Sequence, residues 1–273
     1  MELIEILKVV VLGIVEGITE WLPISSTGHM LLVDEFIHMN VSDSFKDMFF
    51  VVIQLGAILA VVMLFWDKMW PFQTKDKSKP VIRKDVFSMW FKVVVACIPG
   101  AIVTLLFDDY IEAHLHTPTV IALALVVYGV AFIVIENWNK NRTPKVLALE
   151  DISYKTAFII GLFQVLSIIP GTSRSGSTII GALTIGVSRV AAAEFTFFLA
   201  VPVMIGLSFI KILKFGFSFT SVELMTLAIG CVVAFLVSVL VIKFLMSYIK
   251  KRDFKIFGWY RIALGVILLL YFM

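Results

Sequence analysis

Long apolar runs dominate this chain, and short polar segments punctuate them. Runs long enough to cross about 30 Å of hydrocarbon lie near residues 48–66, 90–107, 119–138, 191–210, 224–242 and 256–272. They predict an all-α integral membrane protein with six transmembrane helices, three in each half. Two polar segments interrupt the pattern, GIVEGITEWLPISSTG from Gly13 to Gly28 and GLFQVLSIIPGTSRSG from Gly161 to Gly176. They align without a gap at a spacing of 148 residues, pairing Glu16 with Gln164, Thr19 with Ser167, Ser25 with Ser173, Thr27 with Ser175 and Gly28 with Gly176. Phe49 and Phe50 fall on Phe197 and Phe198 at the same offset. The chain therefore reads as a duplication, with a first repeat over 1–138, a linker over 139–155 and a second repeat over 156–273.

Composition supports the membrane reading: 60% hydrophobic residues, 24 Phe and 16% charged residues fit no soluble class. The start, Met1-Glu2, has no basic stretch before its apolar run, so no cleaved signal is expected. Cys97 and Cys231 sit inside apolar spans without metal-ligand spacing, so they are expected as small core residues and not as a disulfide. The net charge of +3 is gathered in particular loops, which speaks for topology and against a nucleic-acid partner.

Loop 67–92 carries Lys68, Lys75, Lys77, Lys79, Arg83, Lys84 and Lys92. Loop 139–155 carries Lys140, Arg142, Lys145 and Lys155, and loop 243–255 carries Lys243, Lys250, Lys251, Arg252 and Lys255. These are expected on the cytoplasmic side. The alternate loops are poor in Lys and Arg: Lys46 stands among Asp34, Glu35, Asp43 and Asp47, loop 108–118 has only Asp108, Asp109 and Glu112, and loop 211–223 has Lys211 and Lys214. Segment 156–185 must then start and end on one face, as a re-entrant helix-loop-helix. Its counterpart 1–33 is expected to be re-entrant from the outside, because three intervening spans invert the repeat, and both termini are expected outside. Backbone broken at Pro23, Gly28, Pro170, Gly171 and Gly176 is tolerated at membrane depth only inside protein or beside water, so the two loops are expected to meet near the midplane.

Glu16 and Glu20 stand four residues apart, on one face of a helix. Each buried charge costs about 2.5 to 3.5 kcal/mol on insertion scales, so these carboxylates and Arg174 must be paired, hydrated or metal-bound. Ser25, Ser26, Thr27, Gly28 and His29 add hydroxyls, a backbone amide and an imidazole. Ser173, Arg174, Ser175, Gly176, Ser177 and Thr178 surround a guanidinium with hydroxyls and amides, a set suited to phosphate. Carboxylates nearby suit a hard divalent cation bridging phosphate oxygens, with Glu16 and Glu20 as its ligands.

Glu16-x-x-x-Glu20 with Pro23 to His29, together with Pro170 to Thr178, resembles the bacterial undecaprenyl pyrophosphate phosphatases, also known for bacitracin resistance. The likeness covers essentially the whole chain in length, order and spacing, and neither motif departs from the pattern. It implies hydrolysis of the lipid undecaprenyl diphosphate to the monophosphate and inorganic phosphate, recycling the carrier for peptidoglycan precursors. It also implies a multi-pass protein of the bacterial cell membrane whose active site opens to the outer face, and dependence on Mg²⁺ or Ca²⁺. A homodimer is left open. Phosphatases of the phosphatidic acid type share a Ser-Arg pair but need a His after it, and no His follows His116.

The expected mechanism has Ser26 attacking the terminal phosphate with Glu20 or His29 as base. Glu16 and Glu20 hold water or a cation, and Arg174 with Ser173, Ser175 and Thr178 clamps the diphosphate. Water activated by Glu20 is the alternative nucleophile. Structural roles compete for several residues. Thr19, Ser167 and Ser177 can bond neighbouring backbone, and Gln54 and Gln164 are read as repeat-interface residues. His38, His114 and His116 are read as solvated in outer loops, and Arg189, Glu194 and Arg261 as snorkelling or ion-paired at span ends. Inverted repeats with broken helices also suit an anion or phospholipid transporter or flippase, the competing function.

Overall fold

The computed structural model describes residues 2–73 and 80–272, and for residues 108–113 the backbone alone. Lys75, Lys77 and Lys79 of the first basic loop lie outside the described residues, as do the side chains of Asp108, Asp109 and Glu112. The described residues form α1 (Leu3–Thr19), α2 (Ser26–Phe36), α3 (Asp43–Val52), α4 (Gln54–Leu64), α5 (Trp66–Met69) and α6 (Lys84–Leu115). They continue with α7 (Pro118–Asn139), α8 (Tyr154–Val165), α9 (Arg174–Thr184), α10 (Arg189–Phe215), α11 (Ser221–Ile249) and α12 (Lys255–Phe272). Six stretches are long and apolar enough to cross a membrane, α3 with α4, then α6, α7, α10, α11 and α12. These are the six runs read from the sequence.

Two boundaries differ from expectation. Residues 108–115 continue α6 instead of forming a loop, because acidic residues lower hydropathy without breaking a helix and no Gly or Pro follows Gly100 until Pro118. The first span is not one helix, since α3 ends at Val52 and α4 begins at Gln54. Carbonyls near that break are taken up by neighbouring helices: Ser208 Oγ donates to Val51 O at 3.2 Å and Cys231 Sγ to Val52 O at 3.7 Å. Cys97 and Cys231 are free thiols, as expected.

The surface is oily and the interior holds charge, the arrangement a lipid solvent selects. Leu105 and Leu270 are 78% and 80% exposed, while Glu16, Glu20 and Arg261 are buried. Small residues let the helices approach closely. A Cβ at Gly161 would lie 2.3 Å from Ala96 O where α8 meets α6, and one at Gly56 would lie 2.1 Å from Cys231 O where α4 meets α11. Gly13 and Gly17 serve α1 against Val233 and Val237 of α11 in the same way. The pairs α1·α11 and α8·α6 correspond to each other when the two halves are exchanged, as do α4·α11 and α10·α6.

The helices of the two polar segments are shorter than the six spans, α1 by a single residue against α12 with its 18 residues. At 1.5 Å per residue the 17 residues of α1 span about 25 Å, and the 11 residues of α2 and of α9 span about 16 Å each. Chain before or near the start of each segment is also bonded to chain just past its end. Lys8 Nζ donates to His38 O at 2.6 Å, and Asn40 N to Glu5 Oε2 at 3.1 Å. In the second half Lys145 N donates to Gly186 O at 2.7 Å and Ser188 N to Val146 O at 2.8 Å.

Candidate active site

Both loops turn on a serine in a backbone conformation that side chains rarely adopt. Ser25 has φ +74° and Ser173 has φ +71°, the two non-glycine residues with positive φ among the described residues. Such a residue carries about 1 to 3 kcal/mol of strain and persists only where its surroundings hold it. Each serine caps the following helix: Ser25 Oγ accepts from Gly28 N at 3.3 Å, and Ser173 Oγ accepts from Gly176 N at 3.1 Å. The caps start α2 and α9 and satisfy one of the first free amides of each helix. They also engage the hydroxyls of Ser25 and Ser173 and the amide of Gly176, leaving those groups to shape the site.

Glu20, the residue that closes α1, is where the two loops meet. Its Oε2 accepts from Ser26 Oγ at 3.0 Å and its Oε1 from Arg174 Nη2 at 3.0 Å. Ser175 Oγ donates to the Glu20 carbonyl at 3.2 Å and lies 3.1 Å from Ser173 Oγ. Arg174 Nη1 donates to Thr196 O at 3.0 Å. Thr178 supports this from behind, 2.8 Å from Thr196 Oγ1 and donating to Arg174 O at 3.0 Å. Two polar atoms here are buried without a hydrogen-bond partner, the acceptor Glu16 Oε1 and the donor Arg174 Nε. Such a pair is costly unless a ligand supplies a cation or a donor to the first and an anion to the second.

A cavity of about 420 Å³ runs past this centre, lined by Glu16, Ser26, Thr27, Asp47, Gln54 and His116 among others. Ser26, Thr27 and Glu16 thus border this open space. Gln54 differs from expectation, since it lines the cavity wall, whereas His116 is exposed in the turn between α6 and α7 as expected and also borders the cavity. Asp47 joins them. No Pro or Gly in the sequence marks the break before Gln54, and Pro202, 148 residues on, lies inside the unbroken α10.

His29 points elsewhere. Its Nδ1 lies 2.7 Å from Ser25 O and must donate to that carbonyl, and its Nε2 lies 2.7 Å from the Tyr260 hydroxyl, with the two rings stacked. No hydrogen bond joins it to Ser26 or Glu20. Arg261 corrects the sequence reading more strongly. It does not snorkel; it is fully buried and donates to Pro23 O at 3.1 Å and to Gly171 O and Thr172 O, both at 2.9 Å. One guanidinium therefore braces both loops, and only the missing acidic neighbour on α12 hints at this in the sequence. Arg189 and Glu194 are ion-paired as expected, with Glu136 at 2.5 Å and Lys68 at 2.7 Å. Thr19 and Ser167 bond local backbone carbonyls, each at 2.7 Å.

No group of three or more His, Cys, Asp and Glu able to hold a metal ion exists among the described residues. The donor set still fits a magnesium-like ion, which takes one or two carboxylates and completes its shell with water and phosphate oxygens. Glu16 Oε1 is the open ligand, whereas both oxygens of Glu20 are engaged.

A family profile described as bacitracin resistance protein BacA matches residues 9–267. The chain is 74% identical over 270 residues to an undecaprenyl-diphosphatase of Enterococcus faecalis, covering 99% of this chain and 98% of that one. Undecaprenyl-diphosphatases of Lachnoclostridium phytofermentans and Desulfitobacterium hafniense are each 62% identical over 273 residues, covering 100% of this chain and 99% and 98% of theirs.

Proposed function

The chain belongs to the bacitracin resistance protein BacA family, and on that premise we propose that it is a membrane phosphatase hydrolysing undecaprenyl diphosphate to undecaprenyl phosphate and inorganic phosphate. The relatives' names describe hydrolysis, not carriage, so the transporter reading has no support from them. One observation carries the chemistry: Ser26 Oγ donates to a Glu20 carboxylate whose other oxygen is held by Arg174. That is a nucleophile, its base and an orienting cation in sequence.

In this reading Ser26 Oγ attacks the terminal phosphorus while Glu20 takes its proton. The bond from that phosphorus to the bridging oxygen breaks, and undecaprenyl phosphate leaves with the electron pair. Water then attacks the phosphoserine, Glu20 returns its proton to Oγ, and inorganic phosphate departs. Arg174 Nε, unpartnered and buried, serves the phosphate oxygens, and the Thr27 hydroxyl adds a donor from the cavity wall. Ser175 and Thr178 position Glu20 and Arg174, while Ser25, Ser173 and Gly176 set the loops. His29 carries the Ser25 carbonyl and Tyr260, so Glu20 is the base. A bound Mg²⁺ or Ca²⁺, held by Glu16, would neutralise charge on the phosphate oxygens.

Segments 1–33 and 156–185 are read as re-entrant, supported by their short helices and by the bonds that join chain near their two ends. The cavity mouth, with Asp47 and His116, lies away from the Lys- and Arg-rich loops, which supports a site facing the outside of the cell membrane. Purified protein in detergent, where no compartments exist, is expected to release phosphate from undecaprenyl diphosphate. A carrier would release none.

A further inference from the structure

A second cavity, of about 520 Å³, opens at the other end of α7. His116, beside the first cavity, precedes α7, whereas Asn139, Lys140 and Arg142 at the second lie at or beyond its end, and 22 helical residues set the two about 33 Å apart. Five cationic side chains from three chain segments converge on it: Lys140, Arg142 and Lys145 from the linker after α7, Arg189 from the start of α10 and Lys250 from the end of α11. Glu136 is the one carboxylate in its lining, and both its oxygens are engaged. Oε1 accepts from Arg189 Nε and Phe254 N, each at 2.9 Å, and Oε2 accepts from Arg189 Nη2 at 2.5 Å. Lys140, Arg142, Lys145 and Lys250 have no carboxylate partner among the described residues.

The walls are built, not draped. Lys145 N and Val146 N donate to Gly186 O at 2.7 and 3.2 Å, and Ser188 answers through N to Val146 O and Oγ to Leu147 O, both at 2.8 Å. Asn139 Nδ2 fastens the end of α7 to Leu183 O at 3.0 Å, and the Arg142 guanidinium lies over Trp138 at 3.9 Å from the ring centroid. A surplus of positive charge on this face follows from membrane topology alone. Topology requires neither the convergence of three segments on one cavity nor the bonds that hold its rim. Ile185, Val187 and Ile249 form apolar parts of the lining, so the cavity suits a compact anion that brings some apolar surface with it.

We propose that this cavity is a second phosphate-binding site, separate from the hydrolytic centre, which takes the phosphate group of an anionic phospholipid or a free phosphate. The test compares the parent chain with Lys145→Gln/Lys250→Gln, which strips the rim from two sides. The control, Lys155→Gln/Lys251→Gln, removes the same charge from two exposed positions outside the cavity lining. Binding of short-chain phosphatidic acid and of inorganic phosphate to each detergent-purified protein is measured by calorimetry. Phosphate bound at the hydrolytic centre is common to all three proteins and cancels in the comparison.

The first variant is expected to lose affinity for phosphatidic acid by about tenfold or more, the control by less than about twofold, with hydrolysis unchanged in both. Loss confined to phosphatidic acid identifies a lipid headgroup as the ligand, and a matching loss for inorganic phosphate identifies the free anion. Equal losses in the two variants would reduce the cavity to general surface charge and overturn the proposal. So would unchanged affinity in Lys145→Gln/Lys250→Gln.

Discussion

The loop before α2 and the loop before α9 share a backbone and differ in charge. Ser25 and Ser173, 148 residues apart, hold nearly the same positive φ and cap their helices through the same atoms. At that offset, however, Glu16 faces Gln164, Glu20 faces Ile168 and Ser26 faces Arg174. The first copy keeps two carboxylates and the Ser26 hydroxyl, and the second keeps the guanidinium. What the two segments share is the scaffold, because two short helices starting inside a membrane protein need the same caps. The chemistry was divided, so that each loop is incomplete until Glu20 and Arg174 meet at 3.0 Å. Arg261, bonded to Pro23, Gly171 and Thr172, keeps them in register.

The division can be broken from either side. Glu20→Gln removes the proton acceptor of the first loop while leaving an amide oxygen for Arg174. Phosphate release is expected to fall by about 10³-fold with helical content retained by circular dichroism, and near-parent turnover would end the general-base role. Arg174→Lys keeps the charge of the second loop but cannot bond Glu20 and Thr196 together while offering a third donor. A fall of about 10²-fold in kcat/KM is expected, read from steady-state kinetics.

The brace and the caps come next in size. Arg261→Met leaves three buried carbonyls without a donor, each costing about 1 to 3 kcal/mol. Melting temperature should drop by about 6 °C or more, at about 2 to 4 °C for each kcal/mol, and kcat should fall about tenfold with KM changing less, because the loops lose register and not their ligand groups. Parent-like kcat with a lowered melting temperature would leave Arg261 as a stability residue only. The caps give the smallest effect and the sharpest symmetry test. Ser25→Gly and Ser173→Gly each relieve a strained φ as they lose a cap, so both should change stability by only a few tenths of a kcal/mol, whereas each Ala variant costs about 1 to 2 kcal/mol. Unequal responses of the two copies in thermal melts would show that the loops are not held alike.

Much of this was legible in the chain. The six apolar runs needed only length and hydropathy, and the two motifs named Glu20, Ser26, Arg174 and Ser175, which the fold brings together. Local pattern could not show the end of α6, where acidic residues read as a loop although nothing breaks the helix. That Gln54 and the exposed His116 border one cavity was not legible, because a helix break and a distant turn bring them together, a purely tertiary event. Arg261 was misread because a cation near the start of an apolar run usually reaches for water, and its carbonyl partners are 89 or more residues away.

Central to the account is that Ser26, held by Glu20, forms the bond to phosphorus. Single-turnover phosphate release from undecaprenyl diphosphate by Ser26→Ala tests this directly, with lipid binding measured in parallel. The account predicts binding close to that of the parent and a rate lower by about 10³-fold or more, since the base and the arginine remain but nothing is left to attack. Release at close to the parent rate would contradict it and give the attack to a water molecule.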